Sequence, residues 1–194
     1  MRVFTPVHIG SVVLLSASLG AASLSAASLQ LTPREIDDAI RGGRQSLIQS
    51  EFSREWQVSN PAGEEVTVQT PFYRLALLAR NSAFKGEELQ AADIDKLVKA
   101  SQGRLNFWVV LRGATLNFAK TYQPALLVEG REVKAVFVQN EYTALPTDDG
   151  RYLARCVYSF PTEGLNPRAS LSLVVRTFEG QEVSRFAFDL SAMR

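Results

Sequence analysis

Two residues are nearly missing from this chain. His8 is the only histidine and Cys156 the only cysteine among 194 residues. A lone thiol cannot form an internal disulfide, so any stability must come from packing. His8 falls in an N-terminal stretch that reads as a removed signal, which leaves the mature chain no imidazole and excludes the Ser-His-Asp and Cys-His arrangements. Most zinc sites go with them, because only carboxylates and carbonyls are left as ligands. No Gly-x-Ser-x-Gly, Gly-x-Gly-x-x-Gly, Walker loop or Cys-x-x-Cys occurs. No excess of charge is present either: 21 basic residues stand against 20 acidic ones. A nucleic-acid binder needs a basic footprint, and this chain has none.

Long apolar runs are also absent, and this decides how the N-terminus is read. Arg2 is the only charge before Arg34, and Val12 to Leu15 form a short apolar centre. Small residues follow, and Ser25-Ala26-Ala27 fits the small-x-small rule for signal peptidase. The stretch 1–27 is therefore read as a secretory signal cut after Ala27, with an exported, periplasmic or secreted product. Serines and glycines break it well before the roughly 18 apolar residues that a membrane helix needs. The mature chain, 194 − 27 = 167 residues, is expected to form one domain without His8. Its part 28–103 is helix-rich and its part 104–194 is strand-rich. No cysteine follows the apolar run, so a lipid anchor is not expected.

The helix-rich part carries clear start and stop signals. Thr32-Pro33-Arg34-Glu35 reads as a capping box with proline at the first helical position. Ile36, Ala39, Ile40, Leu47 and Ile48 share one helical stripe. Gly42-Gly43 either ends that helix or weakens the middle of a longer one that runs to about Phe52. Asn60-Pro61-Ala62-Gly63 is a turn, and Val66 and Val68 alternate as a short strand. Thr70-Pro71 then opens a helix apolar on most faces, which predicts burial. Gly86 stops it, and a further helix runs from Ala91 to Ser101.

From Leu105 the period changes to two. Leu105, Phe107, Val109 and Leu111 form one strand face; Tyr152, Ala154, Cys156, Tyr158 and Phe160 form another. "PALLVEGREVKAVFV" predicts two strands about Glu129-Gly130, and "ASLSLVVRTFEGQEVSRFAFDL" a hairpin about Glu179-Gly180. The two Glu-Gly-x-Glu-Val stretches are read as turns with the same local demands rather than as a duplication. The segment "DDGRYLA", Asp148 to Ala154, resembles the Asp-x-Gly-x-Tyr stretch near the tyrosine corner of immunoglobulin-like domains, with Ala154 where those domains place a disulfide cysteine. The expected fold is α+β: an antiparallel immunoglobulin-like β-sandwich of about six or seven strands, an N-terminal helix, and a two-helix insertion after the first strand.

Few residues are candidates for chemistry. Ser82-Ala83-Phe84-Lys85 matches the Ser-x-x-Lys of penicillin-binding proteins and serine β-lactamases. That chemistry wants the serine at a helix N-terminus; here it falls in the last turn, where Lys85 suits the dipole. The acidic pairs Asp37-Asp38, Glu64-Glu65, Glu87-Glu88, Asp93-Asp95 and Asp148-Asp149 sit at expected helix starts, turns and solvent faces. Asp148-Asp149 lacks calcium-loop spacing and reads as a turn. Cys156 is expected to be a buried, inert thiol. Arg74 and Arg80, on the apolar helix, are the candidate ligand residues, for an anion or a partner, set against a bracing role. No metal and no cofactor is expected. The leading functional expectation is a non-catalytic binding or assembly module with a protein partner. A small carboxylate-dependent hydrolase and a carrier of an apolar ligand are the alternatives.

Overall fold

The structure, a computed structural model, describes residues 26–194. The expected signal segment lies outside the described residues up to position 25. The fold is α+β, with three helices and two antiparallel sheets of six and four strands.

Helix α1 spans Pro33–Gln45. Thr32 caps it as the capping box predicts: its hydroxyl accepts the Glu35 N–H, and the Glu35 carboxylate accepts the Thr32 N–H at 2.8 Å. The helix continues through Gly42-Gly43 but ends at Gln45, short of Phe52, so Leu47 and Ile48 fall outside it and are exposed. Helix α2, Pro71–Lys85, supplies the reason for Gly43. A Cβ on Gly43 would lie 2.1 Å from the Ala76 carbonyl oxygen of α2, so the two backbones cross in direct contact. Ala39, Ala76 and Ala79 are buried. The glycine is a packing requirement and not a stop signal.

Thr70 caps α2 by accepting the Tyr73 N–H at 3.1 Å. Gly86 ends it in the left-handed region at φ 71°, bonded back to Ala83 and Ser82. Burial along α2 is confined to Pro71 through Ala79, and Phe84 in the last turn is 83% exposed. The apolar helix is therefore core at its start and surface at its end. Helix α3, Ala91–Ser101, presents Ile94, Leu97 and Val98 half-buried.

The strands are β1 Gln57–Ser59, β2 Glu65–Gln69, β3 Arg104–Gly113, β4 Gln123–Val128, β5 Arg131–Lys134, β6 Phe137–Gln139, β7 Leu145–Pro146, β8 Tyr152–Pro161, β9 Ser170–Arg176 and β10 Glu182–Asp189. One sheet runs β1-β2-β3-β8-β6, with β7 also on β8; the other runs β10-β9-β4-β5. Helices α2 and α3 lie between β2 and β3, as expected, although β1 precedes them. The inward residues of β3 and β8 alternate as the period-two pattern requires, and Phe107 meets Phe160 at 5.5 Å. Phe107 also meets Phe188 of β10 at 5.4 Å, which joins the two sheets in one core.

Two turns refine the sequence reading. Glu129 at φ 50° and Gly130 at φ 80° make a two-residue turn between β4 and β5 that needs left-handed backbone at both positions. Thr177 to Gln181 instead make a longer loop, with a register shift between Glu182 and Ser184. The shared Glu-Gly stretch thus serves two different turns. The expected strand through "REVKAVFV" divides: β5 stays with the four-stranded sheet, while the Val136 N–H reaches the Ser159 oxygen and β6 joins the six-stranded sheet. The alternation continues across Ala135-Val136, so nothing local marks the change of partner.

At the start of the described chain, Ala27 is buried, and its N–H points at the Leu190 and Pro167 oxygens at 3.0 and 3.2 Å. Ser28 donates its hydroxyl to Glu35.

Candidate functional site

Between α1, the loop that follows it and the start of α2 lies an open cleft of about 560 Å³. It is built outward from the end of α1. The Ser46 N–H bonds to Gly42 and Gly43, and its hydroxyl donates to the Gly43 oxygen at 2.7 Å. The chain then turns back through residues 47–53 and enters a single 3₁₀ turn, Arg54–Trp56. This turn drives Trp56 into a cluster of rings. Its indole lies 4.8 Å from Tyr73 and 6.4 Å from Phe72, and Phe52 stacks on Tyr73 at 5.8 Å. Tyr73 shares a 3.1 Å hydrogen bond with Ser53, which ties the loop to α2.

The rim of the cleft is charged and internally paired. Arg54 bonds Glu51 at 2.6 Å. Arg80 donates to the Gln49 oxygen at 3.1 Å and lies 4.8 Å over the Phe52 ring. Arg194 carries the largest set of contacts. Its N–H donates to Glu55 at 2.7 Å, and its Nε and Nη2 donate to the same carboxylate at 3.0 and 2.7 Å. The guanidinium sits 5.1 Å from the Phe72 ring and 5.8 Å from the Trp56 ring. Its main-chain oxygen accepts from Trp56 Nε1 at 2.9 Å and from Thr70 Oγ1 at 2.5 Å. Hydrogen bonding to Glu55 outweighs partial burial and raises the Arg194 pKa, with Asp38 adding to the field.

The two arginines singled out in the sequence are not brought together. Arg80 lies behind this cleft, against its lining residues Gln49 and Phe52. Arg74 reaches the last turn of α3, where it donates to Ser101 Oγ at 2.8 Å while Ser101 donates to the Leu97 oxygen. Burial lowers the Arg74 pKa. Ser101 also lines a separate cavity of about 370 Å³, walled by Leu29, Leu31, Pro71 and Val98. The Ser82-x-x-Lys85 pattern falls in the last turn of α2, before Gly86. Burial raises the Cys156 thiol pKa, which opposes thiolate chemistry. Asp149 closes a turn with Thr147 and the Arg151 N–H.

No family model and no curated protein matches the chain. Among solved structures it is similar to a novel protein of unknown function from Burkholderia pseudomallei K96243. The two are 12% identical, with a TM-score of 0.44 over 84% of this chain and 92% of that one. A likeness at this level assigns no activity.

Glu64 lies at a turn, as read from the sequence, but is enclosed rather than solvent-facing. It is 5% exposed. Its carboxylate accepts from Ser184 Oγ at 2.6 Å, Asn60 Nδ2 at 2.8 Å and the Arg112 N–H at 3.0 Å. It therefore pins the β1–β2 turn to β3 and to β10 of the other sheet. Among the described residues, no three His, Cys, Asp or Glu side chains come together to hold a metal ion. No helix among them is long and apolar enough to cross a membrane. Glu55, Trp56 and Arg194 were missed in the sequence. One signal was available: Phe52 and Trp56, interleaved with Glu51, Arg54 and Glu55, form an aromatic and charged run outside any helical or strand period.

Proposed function

We propose that the protein is a non-catalytic binding or assembly module of the cell envelope or extracellular space, acting on a protein partner through the α1–α2 cleft. The observation that carries this is the cleft itself. It is open to solvent, floored by half-buried Phe52 with the buried rings of Trp56 and Phe72 beneath, and rimmed by charge. Its two acids are already engaged, Glu51 with Arg54 and Glu55 with Arg194. Ile48, beside Gln49 at the rim, is 96% exposed. An apolar floor inside a polar rim is the usual anatomy of a protein-binding patch. Export rests on the sequence of residues 1–27.

The scaffold proposed for this module is an immunoglobulin-like sandwich. The order β2-β3-β8-β6 follows A-B-E-D, and β10-β9-β4-β5 follows G-F-C-C′. Support comes from that strand order and not from "DDGRYLA". Tyr152 opens β8, in the E position, whereas the tyrosine corner belongs at the start of F.

The test is site-specific photo-crosslinking of the full chain in its native envelope or medium. A photoreactive residue at Gln49, in the cleft, is expected to give a discrete protein adduct. The same residue at Arg185, exposed on β10, is expected to give none. Absence of an adduct at Gln49, or an identical adduct from both positions, overturns the proposal.

A further inference from the structure

We propose that the Glu55–Trp56–Thr70–Phe72 corner of the cleft is a recognition site for an arginyl residue of a partner chain, and that Arg194 occupies it in cis. This deepens the binding-module reading and rests on it. The site reads the main-chain N–H and oxygen of one arginine together with its Nε and Nη2 donors. Glu55 takes the main-chain N–H and both forward donors of the guanidinium. Trp56 Nε1 and Thr70 Oγ1 hold the main-chain oxygen. The Phe72 and Trp56 rings lie at cation–π distance from the guanidinium carbon. A planar fork suits this carboxylate and these rings, whereas an ammonium offers neither the fork nor the stack.

The receptor is fixed independently of its occupant. Trp56 is locked among Phe52, Phe72 and Tyr73, none of which is the occupant. Thr70 is held as the α2 cap by the Tyr73 N–H. The occupant lies at the surface: the Arg194 side chain is 56% exposed against 24% for Glu55. The cleft continues beside Arg194, so an incoming chain has a path to the corner. If Arg194 leaves, the indole N–H, the Thr70 hydroxyl and the Glu55 carboxylate all lose a partner. Those preorganised groups favour another arginine over water.

The experiment uses a Trp108→Phe background, so that Trp56 is the only tryptophan and its fluorescence reports on the corner. A chain lacking Arg194 is titrated with acetyl-Met-Arg and with acetyl-Met-Lys. Saturable binding of the arginyl peptide is expected, with the lysyl peptide weaker by about tenfold. The chain retaining Arg194 is expected to bind the arginyl peptide more weakly by about tenfold or more, because the cis residue must first be displaced. Glu55→Gln in the shortened chain is expected to abolish binding. If the shortened chain does not unfold cooperatively, Arg194→Ala keeps the main chain in place and frees only the guanidinium position, which is then probed with propylguanidinium. The proposal is overturned if neither vacated chain shows saturable binding, or if Glu55→Gln leaves binding unchanged. A Gln49 adduct that survives Glu55→Gln keeps the binding-module reading and overturns the arginyl site. Saturable arginyl binding without any Gln49 adduct supports the site and overturns the module reading.

Discussion

Glu64 and Glu65 are adjacent acids with opposite situations. Glu64 is enclosed and accepts three hydrogen bonds, from Ser184, Asn60 and the Arg112 N–H. Glu65 is half-buried and accepts one, from Gln57 at 3.1 Å. Removing a buried acceptor leaves its donors without water or partner, so Glu64→Ala is expected to lower unfolding stability by about 2–3 kcal/mol. Glu65→Ala is expected to stay within about 0.5 kcal/mol. Urea unfolding of the two variants checks this, and equal losses would contradict the bracing role. The sequence had no means to separate them. Two acids beside Asn60-Pro61-Ala62-Gly63 look alike until β10 lays Ser184 over one of them.

The crossing of α1 and α2 sets a similar contrast between neighbours at the scale of elements. A side chain on Gly43 would press into the Ala76 carbonyl, whereas Gly42 has open space around its would-be Cβ. Gly43→Ala should force the helices apart at a cost of about 1–3 kcal/mol. Gly42→Ala should stabilise α1 by up to about 1 kcal/mol, because alanine favours helix. Thermal unfolding of both variants decides the matter; two shifts of the same sign would mean that the helices do not meet at Gly43. What was legible among the elements was local. Thr32-Pro33 with Glu35, Thr70-Pro71 and Gly86 each state a helix end within a few residues, and each end lies where it was expected. What was illegible was pairing at a distance. The Gly42-Gly43 step looked like a break or a weak middle because its reason sits on another helix, and β5 and β6 looked like one strand because alternation does not record a change of sheet.

For the whole molecule, the switch from helical to period-two spacing near Leu105 was enough to foresee an α+β chain with its strands mostly C-terminal. The cleft was not foreseeable in the same way. Glu55 and Arg194 are 139 positions apart, and only the turn of the chain after β10, through Leu190–Ala192 to the start of α2, brings them together. The other end of the described chain is tied to the same region, through the Ala27 N–H at Leu190. A cut after Ala27, as the signal pattern suggests, would remove that tie, while a cut upstream would keep it. A purified chain beginning at Ser28 is expected to be less stable than one beginning at Ala26 by about 1–2 kcal/mol, from one lost hydrogen bond and one buried methyl. Identical melting temperatures for the two chains would show that the tie contributes nothing. The contact has a topological consequence as well. With Ala27 held against Leu190, the backbone between them is almost a closed circuit. A few linking residues could complete that circuit, and new ends could be opened at an exposed turn such as Asp148–Gly150. The order in which the elements follow one another along the chain is then separable from the arrangement they reach.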